Sequence, residues 1–257
     1  MQAEIYDVFC HEHHAGNPCG VVLLPAWLAD SELLKMSQDI GQPVTSFVMH
    51  CNDQYYIRWF SLTEEINLCG HGSLGAGAAI LQAQQLHEVA LHSKYGQIQV
   101  VARNEHYQIK LPSWRAKALD QQVADYIQQL GLKPLSVFGT RDLIVVLPSE
   151  TAVSNFQPVV ALLEQMPNYH ALILTAQSGN DGYVLRYFAP KIGIPEDLAT
   201  GSAHCSLAPY WFSQLQTKQL TARQLSKSGG YFQVVDSTDN TFWLIAQARA
   251  RKPSTST

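Results

Sequence analysis

Cys69-Gly70-His71-Gly72-Ser73, followed by the small-residue run Leu74-Gly75-Ala76-Gly77-Ala78-Ala79, is the stretch from which the fold is read. Thr200-Gly201-Ser202-Ala203-His204, with Cys205-Ser206-Leu207-Ala208 behind it, repeats the arrangement at an offset of 131. Each reads as a tight glycine turn that delivers a helix, with polar groups gathered at the helix start. Such a start presents unpaired backbone N–H groups and the positive end of the helix dipole. Two of them facing one another would form a socket for a small anion, most simply a carboxylate.

The chain is long enough, at 257 residues with 46% hydrophobic content, to bury a large core in one large or two small domains. A formal charge of -4 with 17 Lys+Arg gives no electrostatic footprint for nucleic acid. Met1-Gln2-Ala3-Glu4 does not read as the basic opening of a signal peptide. No apolar run reaches the roughly 18–20 residues that span a bilayer. Cys10, Cys19, Cys51, Cys69 and Cys205 form an odd, scattered set without a C-x-x-C spacing, so a cytosolic protein with reduced thiols is expected.

Taken in order, Ala3–Phe9 alternates as a strand does, and His11 to Pro18 is polar with turn chemistry at Gly16-Asn17-Pro18. Gly20–Leu24 is a strand. Ala26–Gly41 carries a helical apolar face, with Asp30 or Ser31 as the expected N-cap and Gly41 as the stop. Strands follow at 46–50 and 55–60, then the Cys69 turn with its helix, then strands at 97–102 and 107–111. Asp120–Leu130 reads as a helix ended by Gly131, and 241–249 as a last strand ahead of a loose tail over 252–257.

The second half repeats the first. Gly139 and Ile144-Val145-Val146-Leu147-Pro148 echo Gly16 and Val21-Val22-Leu23-Leu24-Pro25 at an offset of 123. Leu185-Arg186-Tyr187-Phe188 echoes Ile57-Arg58-Trp59-Phe60 at 128, and Ser226-Lys227-Ser228-Gly229 echoes Ser93-Lys94-Tyr95-Gly96 at 133. Offsets that grow in one direction are what small insertions into a duplicated unit produce. The expectation is an α+β protein of two pseudo-symmetric halves, residues 1–114 and 115–257, each a barrel-like sheet around a central helix (73–85 and 202–216). The last strand either stays with the second half or returns to the first. A helix walled in on all sides explains the Gly/Ala run by close packing.

Cys69 is a candidate base or nucleophile, since a helix start stabilises a thiolate; its bland alternative is a buried structural cysteine. His71 shares that ambiguity. Asp197, in Pro195-Glu196-Asp197, either brings a carboxylate to the second helix start or serves as a turn residue. Ser73 and Ser202 have capping as their simpler role. Glu64 and Glu65 read as a solvated turn, and His11, His13 and His14 fit no zinc spacing.

The motifs Asp7-Val8-Phe9, Ala15-Gly16-Asn17-Pro18, Thr45-Ser46-Phe47-Val48, Cys69-Gly70-His71 and the ten residues Pro195 to His204 run through nearly the whole chain. Together they resemble the PhzF-like phenazine-biosynthesis isomerase family. The resemblance implies the diaminopimelate epimerase fold and a dimer. It also implies proton movement at a carbon of a small carboxylate held between the halves, with neither cofactor nor metal. It maps the family's polar site to His71, Asp197 and Ser202. On this reading Asp197, His71 or Cys69 exchanges the proton. Ser202, Ser73, Thr200 and the backbone N–H groups of Gly72 and Gly201 bind substrate, and Asn17 shapes the pocket.

This chain departs from the pattern at one place. The family's chief acid/base is a Glu just before the Thr-x-Phe-Val segment, and Val44 stands there. The related epimerases and proline racemases carry a Cys at both helix starts, whereas here Cys69 is matched by Thr200. Thr is a poor base, so two rival readings stand beside the isomerase: a Cys69-dependent dehydratase or lyase, and a carboxylate-binding protein without catalysis.

Overall fold

The computed structural model describes residues 3–67, 69–237 and 239–252. The end of the expected tail, 253–257, lies outside the described residues. Two compact units emerge: one holds the chain to Lys110 together with the segment from Leu244 onward, the other is Leu111–Trp243.

The first unit runs β1 (Glu4–Cys10), β2 (Asn17–Leu24), α1 (Asp30–Ile40), β3 (Val44–Cys51), β4 (Gln54–Phe60), β5 (Glu65–Ile66), α2 (Gly70–Gln84), β6 (Glu88–Ser93), β7 (Gly96–Arg103) and β8 (His106–Pro112). The last strand, β15 (Thr241–Ala250), lies between β8 and β1, with Tyr6 opposite Ala250 and Asp7 opposite Arg249. That pairing closes β1, β2, β3, β4, β6, β7, β8 and β15 into an eight-stranded barrel. Among the described residues, closure leaves none of these eight strands with an open edge in the ring.

Inside the barrel sits α2, buried from His71 to Leu81 and packed against β1, β2, β3, β6 and β7. Its glycines are there for approach rather than for conformation. A Cβ on Gly77 would lie 2.6 Å from Val100 Cγ1, and one on Gly75 would lie 2.5 Å from Cys19 Sγ. Outside the barrel, α1 covers Val22, Leu24, Phe47 and Phe60 through Leu33. Strands buried on both faces lose the alternating pattern.

The second unit runs α3 (Val123–Gln129), β9 (Ser136–Gly139), β10 (Leu143–Val146), α4 (Glu150–Ser154), α5 (Val160–Leu163), β11 (Leu172–Gln177), β12 (Gly182–Phe188), α6 (His204–Leu215), β13 (Gln219–Gln224) and β14 (Gly230–Asp236). The order of pairings repeats that of the first unit: antiparallel β9–β10, parallel β10–β11, antiparallel β11–β12, parallel β12–β13, antiparallel β13–β14. The counterparts are β1–β2, β2–β3, β3–β4, β4–β6 and β6–β7. The duplication read from the offsets is a duplication of topology. The sheet curves about α6, whose Trp211 Nε1 donates to Thr175 Oγ1 of β11 at 3.0 Å and whose His204 ring packs on Phe232 of β14. Pro209 sits inside α6 and cannot donate to the Cys205 carbonyl one turn back. Trp114 N–H supplies that bond instead, at 2.7 Å.

One ion pair is duplicated as well. Arg58 Nε and Nη2 grip Glu65 at 3.0 and 2.7 Å, and Arg186 grips Glu196 at 2.7 and 2.9 Å. Each guanidinium also lies over a phenylalanine, Phe60 or Phe188. Glu65 is therefore a fork-paired carboxylate rather than the solvated turn residue expected. Other corrections follow from local packing. The cap of α1 is Ala29, whose N–H donates to Glu32 Oε2 at 3.0 Å, so Asp30 and Ser31 lie inside the helix. The central helices span Gly70–Gln84 and His204–Leu215 instead of 73–85 and 202–216. The first starts early because Cys69 caps it, and the second late because Gly201–Ala203 forms a 3-10 turn. Strands β6 and β11 were not read from the sequence.

Two outcomes are expected. Gly77→Ala should lower stability by roughly 1–3 kcal/mol through overpacking against Val100, and adding Val100→Ala should restore most of it in urea melts. Glu196→Ala should cost more than Glu65→Ala, because Arg186 is 10% exposed against 22% for Arg58. A loss of about 3 kcal/mol is the scale for a buried charge stripped of its partner. Equal losses in the two melts would refute that ranking.

Candidate active site

At the start of α2 the backbone of Cys69 is extended (φ -133°, ψ 107°), and its Sγ accepts the Gly72 N–H at 3.3 Å. The sulfur is therefore the side-chain cap of this helix. It also lies 3.3 Å from His71 Nδ1, a thiol and an imidazole in direct hydrogen-bonding contact. Burial pushes the His71 imidazole down to about 4, so the ring is neutral. Ser73, expected as a cap, instead donates its hydroxyl to the Cys69 carbonyl at 2.7 Å. The Gly72 N–H, expected to hold substrate, is engaged by the capping sulfur.

Strand β3 closes the other side of this cluster. Ser46 Oγ donates to the Gly72 carbonyl at 2.9 Å, and a Cβ on Gly72 would meet Ser46 Oγ, Trp59 Cδ1 and Cys69 Sγ within 3.1 Å. Only glycine fits among those three atoms. Val44, buried, stands two residues before Ser46 and so on the same face of β3. The position where the resemblance calls for a Glu thus belongs to the face that Ser46 turns to α2. Asn17, also buried, begins β2 opposite Val8 of β1.

The second helix start is built differently. Thr200 has the same extended backbone (φ -121°, ψ 101°), but it makes no side-chain cap. Its hydroxyl donates instead to Asp197 Oδ2 at 2.5 Å. Asp197 Oδ1 accepts Leu198 N–H at 2.9 Å, and the Asp197 N–H donates to the Tyr187 carbonyl at 3.0 Å. Gln224, fully buried, ties the loop shut: Oε1 accepts Thr200 N–H at 2.7 Å and Nε2 donates to the Asp197 carbonyl at 2.7 Å. Gly201 opens the turn, and Ser202 Oγ accepts Arg141 Nη2 at 3.3 Å rather than capping. His204, within the helix, is fully buried with Nδ1 at 2.6 Å from Tyr183 OH, and burial holds its ring down to about 3.

Cys69, His71, Gly72 and Ser73 are thus gathered at one helix start, and Asp197, Thr200, Gly201 and Ser202 at the equivalent start in the second unit. Sequence reasoning gave no role to Ser46, Gln224 or Arg141, and left Trp59 as either core or pocket wall. Ser46 had a signal in its place within the Thr45-Ser46-Phe47-Val48 motif, and Arg141 had one in the repeat, which sets Arg141-Asp142 against Pro18-Cys19, a charged pair where the other copy has none.

The profile of the phenazine biosynthesis-like PhzC-PhzF family matches residues 6–234. The chain belongs to that family. An uncharacterised isomerase of Vibrio cholerae is 56% identical over 251 residues, covering 98% of this chain and 89% of that one. A solved structure of a PhzC/PhzF protein from Clostridium difficile superposes with a TM-score of 0.88 at 32% identity, covering 98% of both chains. A hydroxyproline epimerase from Agrobacterium vitis shares the fold at a TM-score of 0.59 and 8% identity, covering 97% of this chain and 91% of that one. The protein is an enzyme of the isomerase type on an epimerase-like fold.

The neutral rings fix a pH dependence. His71 and His204 have folded values of about 4 and about 3, below the unfolded value of roughly 6.5. The unfolded chain binds protons that the folded chain refuses, so stability is full above about pH 6.5 and falls as pH drops toward 4 and 3. Urea midpoints should fall between pH 7 and pH 5, and His71→Gln should flatten part of that slope. An NMR titration in which either ring protonates near pH 6.5 in the native state would contradict this.

Proposed function

We propose that this enzyme is a cofactor-independent isomerase that moves a proton at a carbon of a small amino or hydroxy carboxylate. Asp197, His71 or Cys69 takes the proton from carbon, the electron pair is held by the adjoining unsaturation, and a proton returns at the new position. Ser202 and the Gly201 N–H hold the carboxylate. The observation that carries the reading is the unlike equipment of two equivalent helix starts, a thiol on an imidazole at Cys69 and a carboxylate on a hydroxyl at Asp197. Thr200 leaves its turn without a side-chain cap, which supports an anion there. The Agrobacterium vitis epimerase is described with trans-4-hydroxy-L-proline bound, a small amino carboxylate, and this supports the substrate class.

A second reading keeps the substrate class and changes the reaction to loss of water, with Cys69 as the one base. The 3.3 Å contact between Cys69 Sγ and His71 Nδ1 favours it, since it sets an imidazole nitrogen directly on the thiol. With Thr200 donating to Asp197 and Val44 apolar, no further base stands at either of those positions.

The deciding experiment follows C–H exchange by NMR in D₂O over a panel of small amino, hydroxy and cyclic carboxylates. The isomerase predicts exchange without release of water, lowered by about 100-fold or more by whichever of Asp197→Asn, His71→Ala and Cys69→Ala removes the base. Exchange abolished by Cys69→Ala alone, with water released, establishes the dehydratase. Saturable binding with no exchange anywhere in the panel leaves a binding protein and ends both catalytic readings.

A further inference from the structure

We propose that Arg141, acting with the Ser202 hydroxyl, is the anchor for the substrate's carboxylate, so that the enzyme selects an anionic acid over its neutral amide. This rests on the reading of Ser202 as a substrate-binding group and adds the cation that reading lacks.

The guanidinium is held in place from several sides. Nε and Nη2 donate to Asp142 Oδ1 and Oδ2 at 3.0 and 2.9 Å, and Nη2 also meets Tyr187 OH at 3.1 Å and Ser202 Oγ at 3.3 Å. The plane rests over Trp114 at 4.7 Å, the residue whose N–H completes the α6 ladder at Cys205. All of these bonds use Nε and Nη2; the Nη1 edge takes part in none. Because Ser202 accepts from Arg141, its own hydroxyl proton is available to a ligand. A carboxylate meeting the Nη1 edge and that proton would have two donors, one of them charged.

The fold does not call for this pair. In the first unit the equivalent positions are Pro18-Cys19, and the same strand forms there without a charge. Asp142 is fully buried, and burying a carboxylate is costly even with a partner, so the pair is poor value as a structural device. Arg141, in contrast, keeps 37% of its side chain exposed. A rigid, accessible cation beside an uncapped turn suits recognition. Tyr187 joins it to the proton-transfer group, bonding Arg141 through its hydroxyl and Asp197 through its carbonyl.

The probe is glycolate, with glycolamide as the neutral control, titrated into ¹⁵N-labelled protein while the Arg141 Nε–H resonance is followed. Arg141→Gln alone would strand Asp142, so the variants are Asp142→Asn, which keeps the guanidinium, and Arg141→Gln with Asp142→Asn, a neutral pair. Glycolate should shift the Arg141 resonance saturably and glycolamide should not. Asp142→Asn should bind glycolate more tightly than the double variant, because it keeps the guanidinium. The double variant, folded by circular dichroism, should bind it roughly 10- to 100-fold more weakly, the scale of one lost charge-assisted hydrogen bond. Wild-type affinity in the double variant, equal binding of glycolamide, or no saturable glycolate binding overturns the anchor. The fate of the isomerase reading is separate. Exchange in D₂O with unchanged affinity in the double variant removes the anchor and keeps the isomerase, and the expected binding pattern without exchange does the reverse.

Discussion

Enclosing α2 within a closed ring of strands takes water away from the first turn of the helix, and those backbone N–H groups still need acceptors. The chain answers with the Cys69 sulfur at the Gly72 N–H, and much else is arranged around that contact. Gly72 has to lack a side chain because Ser46, Trp59 and the sulfur already fill the space where a Cβ would go. Gly75 and Gly77 let the helix come close enough to β2 and β7 for the ring to shut. The same burial that makes a sulfur cap necessary keeps the His71 ring neutral beside it. A structural requirement and a thiol–imidazole contact thus come from one set of atoms.

The second unit shows what duplication preserved and what it released. The pairing order of the strands and the Arg–Glu–Phe arrangement on β4 and β12 are the same in both copies. Those features serve the sheet, and any copy that folds needs them. The helix starts diverged. Cys69 caps its helix, whereas Thr200 turns its hydroxyl to Asp197 and leaves its turn to other groups. Arg141 and Asp142 replace Pro18 and Cys19, and Ser202 replaces His71. Divergence is concentrated where the sheet does not depend on the residues that changed.

Legibility in the sequence followed the same division. The four in-register echoes were enough to give two similar halves around Gly-rich helices, because glycine turns and Leu-Pro strand ends are local signals. Glu65 was misread as solvated, since its partner Arg58 is visible only once β4 and β5 pair. The caps of α1 and α2 were missed for a related reason: Ala29 caps with its backbone, and Cys69 caps with an atom that is usually counted as a nucleophile. Gln224 carries no signal by type or spacing, and Ser46 only its place in the Thr45–Val48 motif. They matter because they reach polar atoms more than twenty residues away.

The sequence by itself determined the duplication, the two glycine-led helix starts and the polar groups gathered at them, because each is written in local residue types and their spacing. The tertiary structure decided which polar atom each of those groups is spent on. The Gly72 N–H goes to a sulfur, the Thr200 hydroxyl to a carboxylate, Ser73 to the Cys69 carbonyl, and β15 to β1 to close the ring. Hydrogen bonds and strand pairings of that kind join residues far apart in the chain. Their partners are chosen by which surfaces burial brings together, and no window of sequence contains that choice.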